Sequence, residues 1–175
     1  MRTILSALPL FFAATAAAAQ APAPPPTVDI SAEDIAATVR RTAERTVSDQ
    51  AIRVVDMGGY QVGVGVVHRS PGNQGAIEHS KITEIYHVME GAGTLVTGGT
   101  IPDARPSPPE SQVVTVLNGP SNGGQTIQGG QSRRIKAGDV VIIPPNTPHW
   151  FSAIEAPQIV YLVVRVDPEK VIRPL

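Results

Sequence analysis

From Ile52 onward the chain is a succession of short Val- and Ile-rich runs punctuated by Gly, Pro and Asn, and this punctuation limits the fold more than any other feature. Runs at 52–55, 60–68, 84–89, 93–97, 113–117, 140–143, 149–154 and 159–166 have strand length, carry β-branched residues and are bounded by turn formers. A series of short strands separated by turns folds as a sandwich or a closed barrel, so an all-β domain is predicted over residues 51–175. Two irregular stretches interrupt it. Residues 100–110 contain Pro102, Pro106, Pro108 and Pro109, and residues 119–131 are rich in Gly, Asn, Ser and Gln; both compositions predict surface loops, with a lid as one use. Gly123-Gly124 and Gly129-Gly130 lack the strand-loop-helix context and the Lys and Ser/Thr of a phosphate loop.

The first fifty residues are different in character. Arg2, an apolar run over 4–19 and the small residues Ala17-Ala18-Ala19 before Gln20 form the pattern of a secretory signal peptide over 1–19. Pro9 interrupts the run, which is shorter than the roughly 20 apolar residues of a membrane span. Export to a periplasmic or secreted location, with no stable membrane anchor after cleavage, is therefore expected. Residues 20–30 read as a Pro/Ala-rich spacer. Ser31 and Asp34 then resemble a capping box, and Ile35, Val39 and Thr42 or Ala43 follow at helical spacing, which predicts one helix over about 32–47 within an N-terminal segment 31–50. Its narrow apolar stripe suits packing against the barrel.

Composition limits the chemistry. With no Cys, the domain has neither disulfides nor thiolate ligands, so any metal rests on His and carboxylates. Fourteen Lys and Arg against 15 Asp and Glu leave a net charge of −1 and no basic footprint for nucleic acid, so a small molecule is the expected partner.

Two segments carry the chemistry. In Ile77-Glu78-His79-Ser80-Lys81-Ile82-Thr83-Glu84-Ile85-Tyr86-His87-Val88-Met89-Glu90-Gly91, a His is followed by four residues, a Glu, six residues and a Gly. In Gly138-Asp139-Val140-Val141-Ile142-Ile143-Pro144-Pro145-Asn146-Thr147-Pro148-His149, a Gly is followed by five residues, a Pro, and a His five places beyond it. Together these resemble the two motifs of the cupin family. The resemblance implies a double-stranded β-helix, a jelly-roll barrel, with His79, Glu84 and His149 around one divalent ion, and a homodimer. The second motif also makes physical sense: Gly138-Asp139 turns the chain into an apolar strand, and Pro144-Pro145-Asn146 makes a rigid turn whose Asn tolerates a left-handed backbone.

One position departs from the family pattern. Its first motif opens with His-x-His, and Ile77 stands where the earlier His belongs. Two His and one carboxylate with open positions suit non-haem Fe(II), and Zn, Mn and Ni also accept nitrogen and oxygen ligands. Glu78 points opposite to its neighbours on a strand, and His68 closes the preceding strand; neither is counted as a ligand. Strand alternation places Tyr86 on the Glu84 face, making it the candidate proton donor or acceptor, and places Phe151 with His149 while Trp150 faces away. His87, opposite Glu84, is expected to be exposed or at a dimer interface. Arg133, Arg134 and Lys136 form a basic run, read either as a solvated edge or as steering for an anionic substrate, and Lys81 is read in the same two ways.

Three functions compete. A metal-dependent enzyme acting on a small molecule would use dioxygenase, isomerase or lyase chemistry, as the resemblance implies. A non-catalytic ligand-binding or structural cupin with a degenerate site is the alternative that Ile77 favours. A sensing domain joined to DNA-binding helices is disfavoured by the export pattern and by the absence of a second domain.

Overall fold

A computed structural model of the 175-residue chain describes residues 26–42, 47–72 and 74–175. The export pattern over 1–19, like the spacer up to residue 25, lies outside the described residues. Among the described residues no helix is long and apolar enough to cross a membrane.

The first element is the helix α1, Ala32–Thr42. Its capping box forms as expected: the Asp34 amide donates to Ser31 Oγ at 3.0 Å, and Ser31 Oγ donates to Asp34 Oδ2 at 2.9 Å. The helix is shorter than the 32–47 segment expected, because Val47 already opens a strand, β1 (Val47–Asp56). That strand pairs antiparallel with β2 (Gln61–Arg69), with Ser48 opposite His68. The barrel thus starts at Val47, four residues earlier than the boundary of 51 expected, because pairing with β2 extends the strand to that point. The helix packs on these two strands, with Thr38 buried.

The barrel is built around two long strands. β3 (Ala76–His79) leads into β4 (Thr83–Thr97), and the chain ends with β9 (His149–Asp167). Each long strand absorbs two of the runs read in the sequence. β4 and β9 pair antiparallel over almost their whole length, with shifts of register that bend them around the interior. Gly91 sits at one bend with φ of 75°, and a Cβ there would lie 1.8 Å from the Gln158 carbonyl oxygen, so only Gly fits. Between them lie β5 (Arg105–Pro106), β6 (Ser121–Gly124), β7 (Gln131–Lys136) and β8 (Val140–Ile143). β7 and β8 pair with β4, β6 pairs with β3 and β5, and β2 pairs with β9.

The turns of the second motif take the conformations their residues dictate. Gly138 has φ of 91° and Asn146 has φ of 57°, so Asn146 does occupy the left-handed region. The run 113–117 is not a strand. It belongs to a π-helical turn, Val113–Asn118, whose start is held by Ser111: its carbonyl accepts from the Thr115 amide at 2.9 Å and from Thr115 Oγ1 at 3.0 Å. Burial of Leu117 and Asn118 outweighs the β-propensity of three valines. The stretch expected as a second loop begins as strand β6, and the first contains only the two-residue β5.

Inward alternation fills the interior with Val67, Tyr86, Val88, Leu95, Ile135, Val141, Ile143, Phe151, Ile159, Tyr161 and Val163. The fold is thus all-β with one N-terminal helix, as the strand pattern indicates.

Candidate metal centre

Three strands deliver three ligands to one place. His79 ends β3, Glu84 stands second in β4 and His149 opens β9; all are buried, and one ligand atom from each lies within 4.8 Å of the others. The register explains the convergence. Ile77 pairs with His149, so by alternation His79 and His149 project to the same side, while Glu84 lies opposite Arg165 on β9.

The second ring nitrogen of each His fixes its orientation. Ser121, paired with His79 in register, donates its hydroxyl proton to the Gly119 carbonyl at 2.9 Å, so Ser121 Oγ accepts from His79 Nδ1 at 2.9 Å. His149 Nδ1 donates to the Thr147 carbonyl at 3.0 Å. With each Nδ1–H so engaged, both Nε2 atoms are turned toward Glu84 Oε2, at 3.3 Å from His79 and 3.4 Å from His149. Burial foremost, and the His79 and Arg69 charges after it, push the His149 pKa down to about 4, which keeps that ring neutral at pH 7.

Glu84 is held from both sides. Its Oε1 accepts from Arg165 Nε at 3.0 Å, and its Oε2 accepts from the Tyr86 hydroxyl at 2.7 Å. Burial opposes its charge, yet His79, Arg165 and His149 hold the carboxyl well below the usual range. Arg165 is itself answered by Asp49, whose two oxygens accept from its two terminal nitrogens. Burial and the Glu84 charge push the Tyr86 phenol well above its ordinary value, so its proton stays in place.

Two imidazole Nε2 atoms and a carboxylate oxygen converging on one point suit a cation. Ligand atoms about 2.1 Å from a common ion in tetrahedral array would lie about 3.4 Å apart, which matches the two separations between the His nitrogens and Glu84. The donor set therefore fits a divalent metal, and both rings already have the outer hydrogen bonds that hold metal-ligating His in place.

The group lines a cavity of about 230 Å³, with Ile77, Arg69, Asn118 and Tyr161 among its other walls. Ile77 is thus an apolar wall where the family motif has His. Arg69 gives its Nε–H to the Tyr161 hydroxyl at 2.9 Å and a terminal N–H to Gln74 Oε1 at 3.3 Å, and lies 5.5 Å from the centre of the Phe151 ring. Asn118, on the π-helical turn, is buried with Oδ1 lacking a partner among the described residues.

The remaining residues singled out in the sequence lie elsewhere. Glu78 accepts from Asn122 Nδ2 at 2.9 Å, and His68 is bonded through Nε2 to Gln158 Oε1 at 2.9 Å; neither joins the ligand group. His87 is exposed on the outer face of β4. Arg134 forms a two-pronged pair with Glu155 at 2.6 and 2.8 Å on the exposed face of β7, and Lys81 pairs with Glu169 at 2.9 Å. Both are surface pairs. Sequence reasoning missed Arg165, Asp49, Arg69 and Ser121. Arg165 had a signal, because it shares parity with Tyr161 and Val163 in a run of alternating burial.

Among solved structures, a Bacillus halodurans protein is 13% identical over 82% of this chain and 84% of its own, with a TM-score of 0.49. An RmlC-like cupin family protein with a double-stranded β-helix fold from Methanocaldococcus jannaschii is 14% identical over 73% and 87%, with a TM-score of 0.44. The DMSP lyase DddQ of Ruegeria pomeroyi is 15% identical over 74% of this chain and 51% of its own, with a TM-score of 0.43. No curated protein matches the sequence. Residues 76–174, which are 99 of the 175, match the cupin family and include both motifs and all three candidate ligands, so the chain belongs to that family.

Proposed function

We propose that this chain is an exported, metal-dependent cupin enzyme acting on a small molecule, with His79, Glu84 and His149 holding one divalent ion of Fe, Mn, Zn or Ni. The observation that carries this reading is the convergence of two imidazole Nε2 atoms on Glu84 Oε2 at the wall of a cavity. When bound, the ion supplies Lewis acidity or redox reactivity at its open positions, which suits dioxygenase, isomerase or lyase chemistry. The protein's own groups prepare the site. Arg165 holds Glu84 ionised, Ser121 and the Thr147 carbonyl hold the two rings, and Tyr86 keeps a proton at its hydroxyl beside Glu84, as the candidate proton donor.

Ile77 favours a second reading, a ligand-binding or structural cupin with a degenerate metal site, because an apolar side chain lines the cavity where the motif has His. A homodimer is part of the proposal: Val140 and Ile142 are 61% and 63% exposed on the outer face of β8, beside His87 and Ile85 of β4. Metal analysis of protein purified from its native compartment separates the two functions. The enzyme reading expects about one divalent ion per chain, lost in His149→Ala; a wild type without stoichiometric metal sinks it.

A further inference from the structure

We propose that Arg69 is the anchor for the carboxylate of a small acid that fills the cavity, an inference that rests on the metal-site reading for its second point of attachment. A guanidinium has five N–H donors, and protein groups take two of those of Arg69, at Tyr161 and Gln74, leaving three (5 − 2) without a partner among the described residues. No carboxylate of the described residues lies within 4.0 Å of it. Asp49, in the same cavity wall, has both oxygens taken by Arg165. Arg69 is therefore a half-buried cation at the cavity wall with N–H donors to spare and no carboxylate of the described residues in contact with it.

The charge of the whole cavity points the same way. Asp49 and Glu84 balance Arg69 and Arg165, so a divalent ion at the His79 group brings the lining to a net +2. An anion that reaches both the ion and Arg69 neutralises part of that excess. The planar fork of a guanidinium matches the two coplanar oxygens of a carboxylate. A cavity of about 230 Å³ is the space of about eight waters at roughly 30 Å³ each, which limits the acid to a few carbons.

The test is calorimetric titration of the full chain, with metal content measured on the same samples, using acetate, lactate and succinate against acetamide, lactamide, succinamide and inorganic phosphate. At least one acid is expected to bind and its amide to fail. Arg69→Met should weaken that binding about 30-fold or more while metal content is retained. Arg69→Lys, which keeps the charge but loses the fork, should fall between the two, and decides the matter if Arg69→Met does not fold. Equal affinity for acid and amide, affinity unchanged in Arg69→Lys, phosphate as the only ligand, or no binding of any acid would each overturn the anchor. A wild type that lacks metal but binds an acid through Arg69 would end the enzyme reading and leave this inference standing.

Discussion

The same two strands, β4 and β9, build two unlike parts of one interior. Val88, Leu95, Phe151 and Ile159 join a dry cluster, whereas Glu84, Tyr86, His149 and Arg165 form a buried polar group on the same inward faces. Tyr161 stands at the junction, its ring centre 4.3 Å from that of Tyr86 and 5.9 Å from that of Phe151, with its hydroxyl accepting from Arg69. The apolar part is stabilised by removal of surface from water and makes no demand on protonation state. The polar part carries the desolvation of every charge it buries, and holds only because each is answered: Glu84 by Arg165, Arg165 by Asp49. The two parts should respond to different perturbations: the apolar one to loss of packing, the polar one to loss of a charge and to pH.

The largest expected effect is Arg165→Leu, which removes the guanidinium bound to buried Glu84 and leaves Asp49 without its partner; chemical denaturation should show a loss of about 3–5 kcal/mol, and the Glu84 pKa should rise. Leu95→Ala in the dry cluster should cost about 2–5 kcal/mol in the same assay while leaving metal content unchanged in folded protein. If both variants retain metal equally, the division of the interior fails.

Acid should separate the two parts next. The His149 pKa falls from 6.5 to about 4 on folding, so between those values the unfolded chain holds more protons, and the stability of the metal-free protein drops as pH falls through that window. The full loss is on the order of 3 kcal/mol. Glu84, held well below 4.5, adds a further loss at still lower pH. Denaturation curves at pH 7.0 and 4.5 should therefore converge in His149→Phe relative to wild type, and a pH dependence untouched by that change would count against the buried neutral ring. The smallest effect is Ser121→Ala, which removes the acceptor for His79 Nδ1 and should weaken metal affinity about 10- to 100-fold with little change in folding.

How much of this was legible before the fold was known depended on whether alternation or register was needed. Alternation alone placed Tyr86 beside Glu84 and Phe151 beside His149, and sent His87 outward, all as the structure has them. The motif spacing brought His79, Glu84 and His149 to one point. Ser121 was hidden in a stretch of Gly, Asn and Ser that has no strand propensity, and becomes β6 only because β3 offers it an edge. Asp49 was hidden because it lay in the N-terminal segment 31–50, outside the expected barrel, and Arg69 by its position at the end of a Val-rich run, where sequence shows a charge but not the cavity it lines. The valines at 113–116 misled in the opposite sense, since local β-preference gave way to a turn that buries Leu117 and Asn118.

The most direct test of the polar part as a metal centre is anomalous diffraction from crystals of the protein purified with its native metal, collected at the Mn, Fe, Ni and Zn edges. One peak is expected about 2.1 Å from each of His79 Nε2, His149 Nε2 and a Glu84 carboxylate oxygen. A fully ordered site with no anomalous signal at any of those edges, and water alone between the three side chains, would contradict it.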